Sequence, residues 1–180
     1  MSASRTTLYV ATSVDGFIAD ADGGVEWLDE FENDAENDDV AGAYERFFDT
    51  VDCLVMGATT YEQVRSFGAW PYGDRPTFVF THRELPLATD AVELVDGGVE
   101  SVATELEGEY EHIWLVGGAQ LAREFLREHR VDDIRLSVVP VLLGSGIPLF
   151  SADGETNELQ HLETTTYETG IVELHYKIVP

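Results

Sequence analysis

The stretch His112-Ile-Trp-Leu-Val-Gly-Gly-Ala-Gln120 decides the fold class of this chain. Residues 113–116 form an apolar run typical of a buried strand, and two glycines join it directly to a helix predicted over residues 119–128. The core face of that helix is predicted to hold Leu121, Ala122, Phe125 and Leu126. Two glycines at the start of a helix let backbone N–H groups approach an anion, which the helix dipole also favours. The same glycines also allow a strand and a helix to pack closely with no ligand present.

The rest of the chain repeats this alternation of strand and helix. Further strands are predicted at residues 7–12, 53–56, 77–80, 92–94 and 134–139, and helices at residues 39–49, 61–67 and 99–106. The last twenty residues read as a hairpin of residues 163–168 and 171–178 that turns at Thr169-Gly170. This order predicts one α/β domain over residues 1–180, with a mainly parallel sheet, helices on its faces and an antiparallel edge.

Acidic residues dominate the composition. Thirty-five Asp and Glu residues face ten Lys and Arg residues, which gives a formal net charge of -25. Such self-repulsion destabilises a compact state at low salt, whereas about 1 M salt shortens the Debye length to about 3 Å. The composition therefore resembles that of cytosolic proteins from halophilic organisms. A surface for a basic partner is the alternative, although the acids are spread along the chain. No basic stripe is present for nucleic-acid phosphates.

Other function classes are disfavoured by what the sequence lacks. Cys53 is the only cysteine, so an internal disulfide and a cysteine metal cage are excluded. The five histidines show no metal-ligand spacing, and we predict no bound metal. No signal-peptide pattern or membrane-length apolar run is visible, so the chain is expected to be cytoplasmic and to have no membrane partner.

A second strand-to-helix turn follows the predicted strand at residues 53–56. Gly57 ends the strand, Ala58 follows, and Thr59 or Thr60 is predicted to cap the next helix while offering donors to an anion. Capping without a ligand is the alternative interpretation. At the end of the next strand, Thr81-His82-Arg83 adds a cation and a hydroxyl suited to a ribose phosphate. Open α/β sheets bind ligands at the carboxyl ends of their strands, where all these segments are expected to lie.

Asp15 is the candidate catalytic residue. It follows the first strand within Ser13-Val-Asp-Gly16, and an Asp-Gly pair is often only a turn. The functional alternative is a carboxyl at the mouth of the cleft that orients a polar substrate or passes a proton to it.

Four segments resemble a known family. They are Ser13-Val-Asp-Gly-Phe-Ile-Ala19, Asp52-Cys-Leu-Val-Met-Gly-Ala-Thr-Thr-Tyr-Glu62, Val116-Gly-Gly-Ala119 and Pro140-Val-Leu-Leu-Gly-Ser-Gly-Ile-Pro-Leu-Phe150. In this order they are similar to the reductase domain at the C-terminus of bifunctional riboflavin-biosynthesis deaminase/reductases, which shares its fold with dihydrofolate reductase. The resemblance covers nearly the whole chain. It implies a dihydrofolate reductase-like three-layer fold with a central mixed sheet and a C-terminal antiparallel hairpin.

The resemblance also implies a site and a reaction, namely hydride transfer from NADPH to a ribosylaminopyrimidine-like or pterin-like ring by a homodimer. By this match the cofactor would contact Ala11, Ile18, Gly57, Ala58, Thr59, Thr60, Thr81, His82, Arg83, Val116, Gly117, Gly118, Ala119, Gln120 and Leu121. The substrate pocket would be formed by Trp27, Tyr44, Phe48, Tyr61, Leu143, Gly144, Ser145 and Gly146.

One departure from the family pattern concerns the cofactor, and two alternatives concern the function. Ala58 stands where the family often has an arginine for the 2′-phosphate, so NADH is a second candidate cofactor. Dihydrofolate reductase activity would need a buried carboxylate, for which Asp38 and Asp39 are candidates, and an arginine such as Arg75. A dinucleotide-binding module without catalysis is the alternative from another class.

Overall fold

The computed structural model describes residues 3–32, 38–152 and 154–180, in which strands and helices alternate. The strands are β1 (Arg5–Ser13), β2 (Phe17–Ala19), β3 (Cys53–Gly57), β4 (Thr77–Phe80), β5 (Val92–Val95), β6 (His112–Gly117), β7 (Asp133–Val139), β8 (Ile147–Pro148), β9 (Leu159–Thr166) and β10 (Val172–Ile178). The α-helices are α1 (Asp29–Glu32), α2 (Asp38–Asp49), α3 (Ala58–Ser66), α4 (Val99–Glu109) and α5 (Ala119–Arg127).

One eight-stranded sheet organises these elements in the order β5-β4-β3-β6-β1-β7-β10-β9. Neighbours pair in parallel from β5 to β7, and β10 pairs antiparallel with both β7 and β9. The predicted mixed sheet with a terminal antiparallel hairpin is therefore confirmed. A second, two-stranded sheet of β2 and β8 was not predicted, because neither segment is long enough to show a strand period.

Helices cover both faces of the large sheet and bury two hydrophobic clusters. Alternate residues of β6 point to opposite faces, as expected for a strand, so Leu115 packs with α4 and α5 while Trp114 packs with α2 and α3. On α5, Leu121, Ala122 and Phe125 are buried as predicted, and Leu126 packs beside them. The three-layer arrangement implied by the resemblance is confirmed.

Several predicted boundaries differ from those of the structure, and for two of them the hydrogen bonding gives the cause. Helix α3 begins at Ala58, not at residue 61, because Gly57 already serves as its extended N-cap. Strand β9 ends at Thr166, two residues early, since the backbone N–H of Tyr167 donates to the carbonyl of Ile171 across the turn. Within the described ranges, no helix combines the length and apolar character needed to cross a membrane.

Candidate functional site

The two glycine turns predicted from sequence lie side by side at the carboxyl edge of the sheet. Strands β3 and β6 are neighbours, and Met56 pairs with Gly117 at their ends. A Cβ added to Gly118 would lie 3.2 Å from the hydroxyl oxygen of Thr60, and one added to Gly57 would lie 3.9 Å from the nitrogen of Gly118. The missing side chains therefore allow the two backbones to lie close together.

Helices α3 and α5 both begin at this edge, from opposite faces of the sheet. Gly57 and Gly118 are their N-caps, and no side chain of the described residues caps either helix. The first backbone N–H groups of each helix consequently have no intrahelical partner, and each N-terminus carries a partial positive charge. The expected threonine cap was wrong: Thr59 and Thr60 lie within the first turn of α3.

The residues around the β6 turn differ in whether their side chains are buried or exposed. Gly117 has a φ of +128°, a conformation that favours glycine, and its peptide bond to Gly118 is cis. Ala119 and Leu121 are buried, so only their backbone groups are candidates to bind a ligand at the edge. Gln120 is exposed, and its amide donates to the carboxylate of Glu124 at 3.3 Å. Val116 packs with the cluster under α2 and α3.

The segment after β4 carries two basic side chains that already contact carboxylates. The guanidinium of Arg83 donates to both carboxylate oxygens of Glu62, at 3.2 Å and 2.8 Å, and this lowers the pKa of Glu62. The ring of His82 contacts the carboxylate of Asp96, and the Thr81 hydroxyl accepts the backbone N–H of Arg83 at 3.0 Å. Sequence reasoning missed both acids. Both acids are distant from their partners in the chain, so no local spacing marks them.

Asp15 ties the turn after β1 to a distant loop. Its carboxylate accepts hydrogen bonds from the Ser13 hydroxyl at 2.6 Å and from the backbone N–H groups of Leu143 at 3.1 Å and Gly144 at 2.8 Å. These bonds, led by that of Ser13, lower the pKa of Asp15. A carboxyl held in its ionised form is poorly suited to the proton relay predicted from sequence, and the geometry favours an anchoring role.

The loop of residues 143–146 is held in place at its far end as well. Strand β8 pairs with β2, and a Cβ on Gly146 would overlap the carbonyl oxygen of Ala19. The guanidinium of Arg123 on α5 donates to the carbonyl oxygen of Pro148 at 3.1 Å. The predicted loop residues, including the exposed Gly144 and Ser145, therefore lie against the segment that follows β1.

The aromatic residues predicted to line the substrate pocket differ in their packing and hydrogen bonding. Tyr44 and Phe48 stack at 5.9 Å beside Trp114, and both are half-buried. Trp27 is half-buried, and its indole N–H has no hydrogen-bond partner among the described residues.

The prediction for Tyr61 was wrong. It is fully buried on the inner side of α3, where its hydroxyl donates to the carbonyl of Pro86 and accepts from the N–H of Ala88, each at 2.8 Å. This side chain cannot touch a substrate.

Ala11 and Ile18, predicted to flank the nicotinamide, lie on different segments near this edge. Ala11 on β1 pairs with Ser137 of β7, whereas Ile18 on β2 packs against the cluster of α4 and α5. Both are half-buried. Their contact with a cofactor stays a prediction.

A charged cleft that sequence reasoning missed runs between α2 and the sheet. It has a volume of about 470 Å³ and is lined by Asp39, Arg46, Asp133, Arg135 and Glu173, among others. Arg135 donates to Glu173 at 2.5 Å and lies 5.3 Å from the ring centres of both Tyr9 and Phe47. These residues are scattered from β1 to β10, so no local pattern marks them.

Comparison with models of protein families shows which family this chain belongs to. The family model described as the RibD C-terminal domain matches residues 6–173. The chain belongs to the RibD C-terminal domain family. A curated relative, the uncharacterized protein YwjB of Bacillus subtilis, is 38% identical over 175 residues, which cover 96% of this chain and 97% of YwjB.

Solved structures agree with this RibD C-terminal domain fold. A protein from Shewanella sp. PV-4, whose structure is named for riboflavin biosynthesis, matches with a TM-score of 0.86 and 26% identity, covering 98% of this chain and 99% of that one. A diaminohydroxyphosphoribosylaminopyrimidine deaminase/5-amino-6-(5-phosphoribosylamino)uracil reductase from Thermotoga maritima matches with a TM-score of 0.73 and 16% identity. That match covers 98% of this chain and 57% of the Thermotoga chain.

Proposed function

We propose that this RibD C-terminal domain protein is a reductase that uses a nicotinamide dinucleotide and acts on a pyrimidine-like or pterin-like ring. The observation that carries the proposal is the contact between the two glycine turns, with a Cβ on Gly118 only 3.2 Å from the Thr60 hydroxyl. Family membership and the reductase name of the Thermotoga protein support the choice of reaction.

The residues at the edge fit a dinucleotide. Its anionic groups need N–H donors, and two helix N-termini without side-chain caps supply such donors within the described chain. We assign the backbone N–H groups of Thr59, Thr60, Gln120 and Leu121 to these anions. A bound dinucleotide would supply the hydride.

The remaining residues of the site orient the substrate and exclude water. The half-buried ring of Tyr44 on α2 is assigned to an apolar wall for a flat heterocycle, with Phe48 stacked behind it. Asp15 holds the loop of residues 143–146 against the segment after β1, which would cover the reacting ring and limit entry of water. In this proposal catalysis comes mainly from alignment of the two rings.

The test separates binding from turnover. Calorimetric titration with NADH and NADPH is carried out in about 2 M KCl, where charge repulsion is screened. Gly118→Val should abolish binding, because its φ of -78° suits any residue and only the space between the turns is lost. Gly108→Val is the matched control, since a Cβ there meets nothing within 4 Å. Undiminished binding by Gly118→Val would contradict the assigned cradle.

Turnover is then followed by loss of reduced nicotinamide absorbance with pyrimidine and pterin substrates. Binding of the dinucleotide without turnover on any of them would favour a module without catalysis. Dihydrofolate reductase activity has less support: Asp39 is exposed, and the guanidinium of Arg75 donates to the carbonyl of Phe48 at 3.0 Å. Absence of methotrexate binding would dispose of that alternative.

We also propose that the protein is a cytoplasmic homodimer that pairs through the terminal hairpin. Strand β9 is an exposed sheet edge with free backbone groups, and Leu159 and Leu162 on it are 44% and 46% exposed. Light scattering after size exclusion tests this proposal. A monomeric mass at working concentrations would contradict it.

A further inference from the structure

The geometry points to NADH, and not NADPH, as the cofactor of this protein, with Glu62 as the residue that sets the preference. This inference rests on the proposed function, because it concerns the same edge of the sheet. It goes further by naming the chemical group that the site rejects, the 2′-phosphate of the adenosine ribose.

The position of the adenosine half follows from the order of the strands. If the pyrophosphate lies between the turns of β3 and β6, one half of the dinucleotide extends over β1 and the other over β4 and β5. The reacting ring belongs on the β1 side, where Asp15, just after β1, holds the loop of residues 143–146. The adenosine ribose therefore lies over the end of β4, beside Arg83. In dinucleotide-binding sheets an acidic side chain takes the ribose 2′-hydroxyl, whereas an arginine accommodates a 2′-phosphate.

The basic side chains at this corner already contact carboxylates. Both arms of the Arg83 guanidinium engage the two oxygens of Glu62, and His82 faces Asp96. Ala58 lies on the same face of α3 as Glu62, four residues earlier, and contributes only a methyl group. Arg65 is three residues further along α3, away from the edge, with its guanidinium 5.6 Å from the centre of the Tyr61 ring.

A 2′-phosphate and a 2′-hydroxyl would meet this corner differently. The phosphate would have to take Arg83 from Glu62 and then lie beside a bare carboxylate, in a chain with a formal net charge of -25. A ribose hydroxyl instead donates to the Glu62 carboxylate, which the Arg83 bonds hold in place. The arrangement thus favours the cofactor that lacks the phosphate.

The experiment measures dissociation constants of NADH and NADPH by calorimetry, together with adenosine 5′-diphosphate and adenosine 2′,5′-bisphosphate as probes of one half. We expect NADH to bind at least about tenfold more tightly than NADPH, a modest difference for a nearby charge pair. Glu62→Gln should remove most of that ratio by tightening NADPH, and Ala58→Arg should act in the same direction.

The matched control is Glu107→Gln. This substitution removes one negative charge and the 2.7 Å ion pair between Glu107 and Arg130. Glu107 lies near the C-terminal end of α4, on a different helix from Glu62. The ratio of the two affinities should not change in this variant. Titrations in about 2 M and about 0.15 M KCl separate local contacts from the overall charge, which salt screens more strongly.

Each outcome has a defined meaning. Tighter binding of NADPH than of NADH by the unaltered protein would overturn this inference and leave the proposed function standing. Failure of both nucleotides to bind would overturn the proposed function as well. A preference for NADH that Glu62→Gln does not reduce would overturn the role of Glu62.

Discussion

The Asp15 carboxylate accepts a hydrogen bond from the backbone N–H of Gly144 at 2.8 Å, joining segments 129 residues apart in the chain. The backbone N–H of Leu143 donates a second hydrogen bond to the same carboxylate. The loop is held as well by the β2–β8 pair and by the backbone N–H of Val14, which donates to the carbonyl of Val141 at 2.9 Å, so Asp15 fixes its near end.

Replacement of Asp15 by Ala should release this loop. Hydrogen–deuterium exchange at Leu143 and Gly144 should accelerate, because both amides lose their acceptor. The control is Asp22→Asn, which changes one charge in the next exposed turn. If turnover is found, Asp15→Asn should keep the pH profile of the unaltered enzyme, since the pKa of Asp15 is already lowered and the carboxyl carries no proton near neutrality. A lost inflection near neutral pH would restore the proton-relay role.

Tyr61→Phe should destabilise the fold without affecting nucleotide binding. The hydroxyl is fully buried between the carbonyl of Pro86 and the N–H of Ala88, so its removal leaves two unpaired backbone groups. The expected loss is about 1–3 kcal/mol in the free energy of unfolding, measured with guanidinium chloride. Tyr44→Phe is the control because its ring is only half-buried. A weaker affinity for substrate in Tyr61→Phe, with stability intact, would return this residue to the pocket.

His112 should make stability depend on pH below neutrality. Burial and the nearby Arg5 lower the pKa of this histidine, whose Nδ1–H donates to the carbonyl of Thr50 at 3.0 Å and whose Nε2 accepts from the Thr7 hydroxyl at 2.9 Å. The unfolded chain therefore takes up a proton near pH 6.5 before the folded protein does. Stability is expected to be full above that pH and to decline as the pH falls towards the lowered folded value.

The measurement is thermal unfolding from about pH 8 to about pH 5, the range in which histidine titrates. His112→Gln should lower stability overall but flatten this decline. His175, whose pKa is also lowered by burial, contributes in the same direction, so some slope remains. The exposed His129→Asn serves as control. An unchanged slope in His112→Gln would exclude this origin.

Salt should raise stability well into the molar range. The repulsion among 35 acidic residues is long-ranged at low ionic strength and is screened as the Debye length falls to about 3 Å at 1 M. The melting temperature in KCl should therefore climb steeply before levelling off. Sucrose, which strengthens burial without screening charge, is the control. An equal rise of the melting temperature in sucrose would show that charge repulsion is not the main cause of the stabilisation by salt.

Local pattern was sufficient for most of the fold. The two glycines after β6 and the single glycine after β3 were visible as strand-to-helix turns because each element shows its own period over several residues. The β2–β8 pair was not predicted, because strands of three and two residues are too short to show the alternation of a β-strand. The start of α3 was misplaced because its cap is the backbone of Gly57 and not a threonine side chain.

The sequence by itself determined the alternation of strands and helices, the acidic surface and the two glycine turns, all of which depend on residues adjacent in the chain. Only the tertiary structure decided which turns touch, because strand order sets Gly57 beside Gly118. It also decided that Arg83 faces Glu62, that Asp15 anchors a loop and that Tyr61 is buried. Partners of charged side chains are chosen by packing between distant segments, and no local period encodes them.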